Sequence, residues 1–159
     1  MTNQPSNNQF ADGPYIQVAG MCEKVLREAD GMLSVIRFVD SITHTESGAN
    51  PPVKMPELKY PLTLVLALKA GNLTGTHEIT LIAENPERKT LPPIKRIAEI
   101  VGDIRAITMV INVRVTYTLE GQYFFNVMFD GKPLTKIPLL IIYNRDITQP
   151  EANPQVKPQ

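Results

Sequence analysis

Alternation of apolar and polar side chains is the feature that most restricts this chain. Leu62, Leu64, Leu66 and Leu68 interleave with Thr63, Val65, Ala67 and Lys69. Successive side chains of a strand point to opposite faces, so this period of two predicts a strand with one apolar face. Gly71-Asn72-Leu73-Thr74-Gly75 follows with turn chemistry, and its Asn-Leu-Thr triplet is read as turn rather than as a glycosylation site. The return strand sets His77, Ile79, Leu81 and Ala83 against Thr76, Glu78, Thr80 and Ile82, until Asn85-Pro86 breaks it.

The C-terminal half repeats the pattern. Ile107, Met109, Ile111, Val113 and Val115 alternate with Thr108, Asn112, Arg114 and Thr116. Glu120-Gly121 turns the chain into Tyr123, Phe125, Val127 and Phe129, and Asp130-Gly131 is a hairpin signal. A last run, KIPLLIIY, carries Leu139, Ile141 and Tyr143 on one face. The stretch GQYFFNVMFDG is unusual because it is apolar on both faces. If Tyr123, Phe125, Val127 and Phe129 face a core, Phe124 and Met128 face outwards, joined by Leu140 and Ile142 of the next strand. Phe124, Met128, Leu140 and Ile142 are therefore the candidate interface residues, unless a loop such as 46–61 covers them.

Two segments fit more than one structure. Val18, Met21, Cys22, Val25, Leu26 and Ala29 fall at helical spacing, yet YIQVAGMC alternates and MLSVIRFVDSITHT is rich in β-branched residues. Two strands joined at Ala29-Asp30-Gly31 are the preferred expectation. PPIKRIAEIVGD fits a short helix beginning near Pro93 or an edge strand leading into Ile104. The proline-rich segment 46–61 is expected to be a loop or an edge crossing. Residues 1–13 and 144–159 are polar, Pro-, Asn- and Gln-rich, and are expected to be disordered tails around one domain from 14 to 143. Short strands with regular turns and no strand–helix alternation predict an all-β, antiparallel β-sandwich with at most one short helix; a closed barrel is the alternative.

Composition narrows the function. Lys plus Arg and Asp plus Glu both number 16, so no charge excess points to nucleic acid or an anionic membrane. Aromatic residues 123–129 have no interleaved Lys or Arg, as a nucleic-acid-binding sheet would want. Arg88, Lys89, Lys95 and Arg96 read as a solvated basic loop, with an anion-binding patch as the sharper alternative. No apolar run is long enough for a membrane span, and a cytoplasmic location is expected. Cys22 is the only cysteine, so no intrachain disulfide forms.

Candidate chemistry is sparse. No phosphate loop or dinucleotide fingerprint is present, and no cofactor is expected. A metal site would have to gather Cys22, His44 and His77, which lack ligand spacing; a nucleophilic site would add Asp40 to Cys22 and a histidine. Cys22 is more simply a small buried hydrophobe. Asp30, Asp40, Glu120 and Asp130 read as turn residues, Asp30 and Asp130 because glycine follows each. A ligand-binding module would expose residues such as Tyr60, Tyr117 and Asn112, although the chain has no Trp for sugar stacking.

Three stretches, CEKVLREADGMLSVIRFVDSI, GTHEITLIAENP and LEGQYFFNVMFDGKPLTKIPLLIIY, together resemble an uncharacterised bacterial family, a domain of unknown function built as a small immunoglobulin-like β-sandwich. The resemblance covers most of residues 15–143 and implies that fold; it assigns no catalytic residue. The expected function is a non-enzymatic module that binds another protein or self-associates. A small-molecule or carbohydrate-binding module is the first alternative, and a hydrolytic or metal-dependent enzyme the second.

Overall fold

A computed structural model describes residues 13–101 and 106–148. Residues 1–12 and 149–159 of the expected tails, and Ile104, lie outside them. Among the described residues nine strands follow one another: β1 (Tyr15–Arg27), β2 (Leu33–Phe38), β3 (Ser41–Gly48), β4 (Leu58–Lys69) and β5 (Gly75–Glu84). The remainder are β6 (Ile94–Ile100), β7 (Ala106–Tyr117), β8 (Gly121–Phe129) and β9 (Lys132–Ile147). Among the described residues there is no helix, so both ambiguous segments resolve as strands. For 94–100 the deciding factor is non-local: β6 pairs antiparallel with β5, from Gly75↔Ile100 to Leu81↔Ile94.

The strands form two sheets, ordered β2-β1-β4-β7 and β3-β9-β8-β5-β6. This is a β-sandwich, as the alternation implies. The apolar rows of β4, β5, β7 and β8 meet between the sheets: Leu62, Leu64, Leu66 and Leu68, with Ile79 and Leu81, pack with Ile111, Val113, Tyr123, Phe125 and Val127. Burying each such side chain is worth about 1.5–3 kcal/mol, which makes this layer the source of the fold's stability.

Three expectations need correction. The sandwich is not wholly antiparallel, because β3 runs parallel to β9 from Ser41↔Leu140 to Gly48↔Ile147. That pairing carries β9 through Asn144–Ile147, four residues assigned to the tail, the first three of them polar; backbone ladder bonds need no apolar side chain. The proline-rich segment is a loop only between Gly48 and Leu58. Pro61 lies inside β4, beyond Cys22↔Thr63, the last pair that β1 makes with it, so its missing N–H removes no bond to β1.

MLSVIRFVDSITHT divides between sheets. β1 and β2 form a hairpin closed by Glu28 N–H to the Met32 carbonyl (2.8 Å) and by Met32 N–H to Asp30 Oδ1 (2.9 Å). After Phe38 the chain crosses at Val39-Asp40 into β3, and Asp40 O accepts from Leu140 N–H (2.9 Å).

Candidate functional site: the outer sheet faces

The inner rows leave two outer faces. On the five-stranded sheet, Phe124, Met128, Leu140 and Ile142 all lie outside the core cluster. Leu140 is exposed and the other three are half-buried. The loop at 49–57 is held by Tyr143 and Arg145, whose side chains donate to the Pro52 and Pro51 carbonyls. The Phe124 ring is flanked by Lys136, with Nζ 4.0 Å from the centroid, and by Arg88 at 5.3 Å. Cations over an aromatic face are attracted by its quadrupole. Glu84 and Pro138 are its cross-strand neighbours. Ion pairs surround this apolar group: Arg88–Glu84 at 2.7 Å and Lys95–Glu78 at 3.0 Å.

The outer face of the four-stranded sheet is built differently. In β1, Ala19 packs against the core and Met21 lies in it, so Val18, Gly20 and Cys22 belong to the opposite face. In β4, Thr63, Val65 and Ala67 alternate with the core leucines in the same way. Cys22 and Val65 are nevertheless buried, outside the core cluster. Phe38 explains part of this. It is the cross-strand partner of Cys22, and its ring lies over Gly20, where a Cβ would fall 2.9 Å from the ring. Gly20 thus makes room for the aromatic.

A groove of about 500 Å³ runs along this face, lined by Val18, Met32, Val35, Phe38, Val65 and Ala67, among others. Phe38 is 60% and Met32 68% exposed, and Val18 and Val110 are exposed too. Glu23 and Arg37 form an ion pair at 3.2 Å beside Phe38. The sequence signal for this groove was present in the alternation of YIQVAGMC and TLVLALK. What it lacked was the information that β2 flanks β1 and delivers Phe38 there.

Of the remaining candidates, Cys22 lies on this face opposite Phe38, whereas His44 stands on β3 and His77 on β5. Cys22 Sγ donates to the Thr63 carbonyl at 3.3 Å, and burial pushes its thiol up from the ordinary range. His44 Nε2 is 2.9 Å from Glu46 Oε1 on its own strand, and His77 Nδ1 is 2.7 Å from Asp130 Oδ2. Asp40 accepts from the Ser41 hydroxyl at 3.2 Å. Among the described residues, no group of three or more His, Cys, Asp or Glu is arranged to hold a metal ion. Of the residues expected to line a ligand face, Asn112 is exposed and half-buried Tyr60 donates to Glu23 Oε1 at 3.2 Å. Tyr117 is not exposed at all. It continues the inward row of Ile111 and Val113, and its hydroxyl has no hydrogen-bond partner.

None of the curated proteins compared with the chain matches it. A family model, described as a family of unknown function, matches residues 17–142, which takes in the core of both sheets and the groove. The chain therefore belongs to that family, DUF6941.

Proposed function

We propose that this protein is a non-enzymatic association module, binding another protein or a second copy of itself through the outer face of its four-stranded sheet. The observation that carries the proposal is the groove, where Val18, Met32 and Phe38 stand exposed next to one another. Single exposed apolar residues are ordinary on a protein surface, whereas a contiguous apolar patch marks an interaction site. Aromatic and Met side chains are also enriched in protein interfaces. Phe124, Met128, Leu140 and Ile142 remain a second proposed contact, centred on exposed Leu140 because the Phe124 ring already has two cations against it.

The same reading places the protein in the bacterial cytoplasm, where a single unpaired thiol is at home, and treats the sandwich as immunoglobulin-like. In support of the latter, β9-β8-β5-β6 follows the G-F-C-C′ order and β1-β4-β7 the A-B-E order of such folds. Tyr123, near the start of β8, accepts from Leu119 N–H at 3.3 Å, in the manner of a tyrosine corner.

Chemical cross-linking of the purified chain, alone and with candidate partners, tests the function. Phe38→Lys combined with Val18→Lys is expected to abolish cross-linked species while leaving the circular dichroism of the sandwich intact. Undiminished cross-linking by a folded double variant contradicts the proposal.

A further inference from the structure

We propose that the free edge of β7 pairs antiparallel with β7 of a second copy, about a dyad near Ile111, joining two four-stranded sheets into one of eight strands. This rests on the reading of the chain as an association module and names its partner. The sheet orders leave four edges: β2, β7, β3 and β6. An edge strand presents a row of unpaired N–H and C=O groups, and proteins ordinarily blunt it by shortness, charge, proline or a bulge.

Three of the edges carry such devices. β2 has 6 residues, with Arg37 at a φ of 49°. β6 has 7, among them Lys95, Arg96 and Glu99, and follows Pro92-Pro93. β3 has 8, carries Glu46 and ends at Gly48. β7 has only one of them, a single charge. It runs for 12 residues, matches β4 in unbroken register from Leu58↔Tyr117 to Lys69↔Ala106, contains no proline, and bears Arg114 as its only charge. Among the described residues it pairs with β4 alone.

Two further observations identify the occupant. A cleft of about 360 Å³ opens between the sheets beside β7, lined by Leu81, Leu91, Ile94, Val113 and Phe125, among others. The inward row of an added strand would lie beside that cleft, so an occupant with alternate apolar residues continues the apolar layer of the sheet. β7 is itself such a strand, with Met109, Ile111 and Val113 facing inwards. It is also compatible with its own copy in charge. With the dyad at Ile111, Val110 lies against Asn112 of the second copy and Arg114 against Thr108, so the single charge meets no like charge. Val110, 42% exposed, lies diagonally across the dyad from Val110 of the second copy.

Sedimentation equilibrium of the full chain tests this pairing. The wild type is expected to approach twice its 17.7 kDa as concentration rises. Val110→Lys and Thr108→Arg are each expected to weaken the dimer roughly tenfold or more, by bringing two lysines together across the dyad or by placing a like charge opposite Arg114. Thr108→Glu, facing Arg114, is expected to keep or tighten it. These positions are exposed, and circular dichroism would verify that each variant folds. A wild type that remains at single-chain mass overturns the pairing, whether or not the groove binds another protein. So does a dimer that Phe38→Lys dissociates but Val110→Lys and Thr108→Arg do not, a result that leaves the groove reading standing.

Discussion

His77 Nδ1 lies 2.7 Å from Asp130 Oδ2, tying the beginning of β5 to the turn that follows β8. The other carboxylate oxygen of Asp130 accepts from Glu78 N–H at 2.8 Å, while Asp130 N–H donates to the Glu78 carbonyl at 2.9 Å. The imidazole also stacks on Phe129, with centroids 4.9 Å apart. A turn that reads as simple Asp-Gly chemistry is thus fastened to the neighbouring strand. Asp130 has a φ of 46°, a left-handed conformation that Asn tolerates and Ala resists. Asp130→Ala is expected to lower the thermal midpoint more than Asp130→Asn, which retains a side-chain acceptor. Equal midpoints for the two variants would contradict this role.

Acid should loosen the same sheet. The His77 hydrogen bond and the Glu78 N–H hold the Asp130 carboxyl below its ordinary 3.8. Lys95 and Thr80 hold Glu78, and Arg88 holds Glu84, below the ordinary 4.5. A carboxyl whose folded value is depressed binds its proton more readily in the unfolded chain. Its stabilising contribution is therefore present above the ordinary value and is lost as pH falls through the lower, folded value. Urea midpoints measured from pH 6 down to pH 3 should fall mainly below about 4.5, and Glu78→Gln combined with Asp130→Asn should flatten that decline.

Tyr117 and Tyr123 meet edge to face in the core, with centroids 5.1 Å apart, but their hydroxyls differ. Tyr123 Oη accepts from Leu119 N–H, whereas Tyr117 Oη is buried with no partner, and burial pushes its phenol upward. A buried polar atom without a partner carries its full desolvation penalty. Tyr117→Phe is expected to stabilise the protein by about 1 kcal/mol, and Tyr123→Phe to destabilise it by a similar amount. Denaturant titration of the two variants checks both signs.

Wherever one face of a strand is apolar and the other polar, the fold was legible in the chain. The rows Ile79-Leu81-Ala83 and Tyr123-Phe125-Val127-Phe129 are buried as their alternation implies. Strand residues held mainly by backbone pairing were not legible. Asn144–Ile147 is exposed, and polar but for Ile147, and pairs with β3, a strand about a hundred residues earlier. Ile94, Ile97 and Ala98 satisfied helical spacing as well as strand spacing, and only their partners on β5 decide between them. The candidate site was half legible. Phe124 and Met128 could be placed on an outer face by parity alone. The Phe38 groove depends on which strands become neighbours, a tertiary property of residues such as Val18, Phe38 and Val65 that are distant in sequence.

Two methionines report on the two faces independently. Met32 is exposed at the groove, and Met128 is half-buried on the outer face of the five-stranded sheet, opposite Thr80 and Pro133. Oxidation of each, followed by mass spectrometry at a fixed chain concentration while a purified protein partner is added, measures which face becomes covered. Met32 oxidation is expected to slow severalfold when a partner binds the groove, while Met128 oxidation is unchanged. Slowed oxidation at Met128 with Met32 unaffected would contradict the assignment of the four-stranded sheet's outer face as the contact surface.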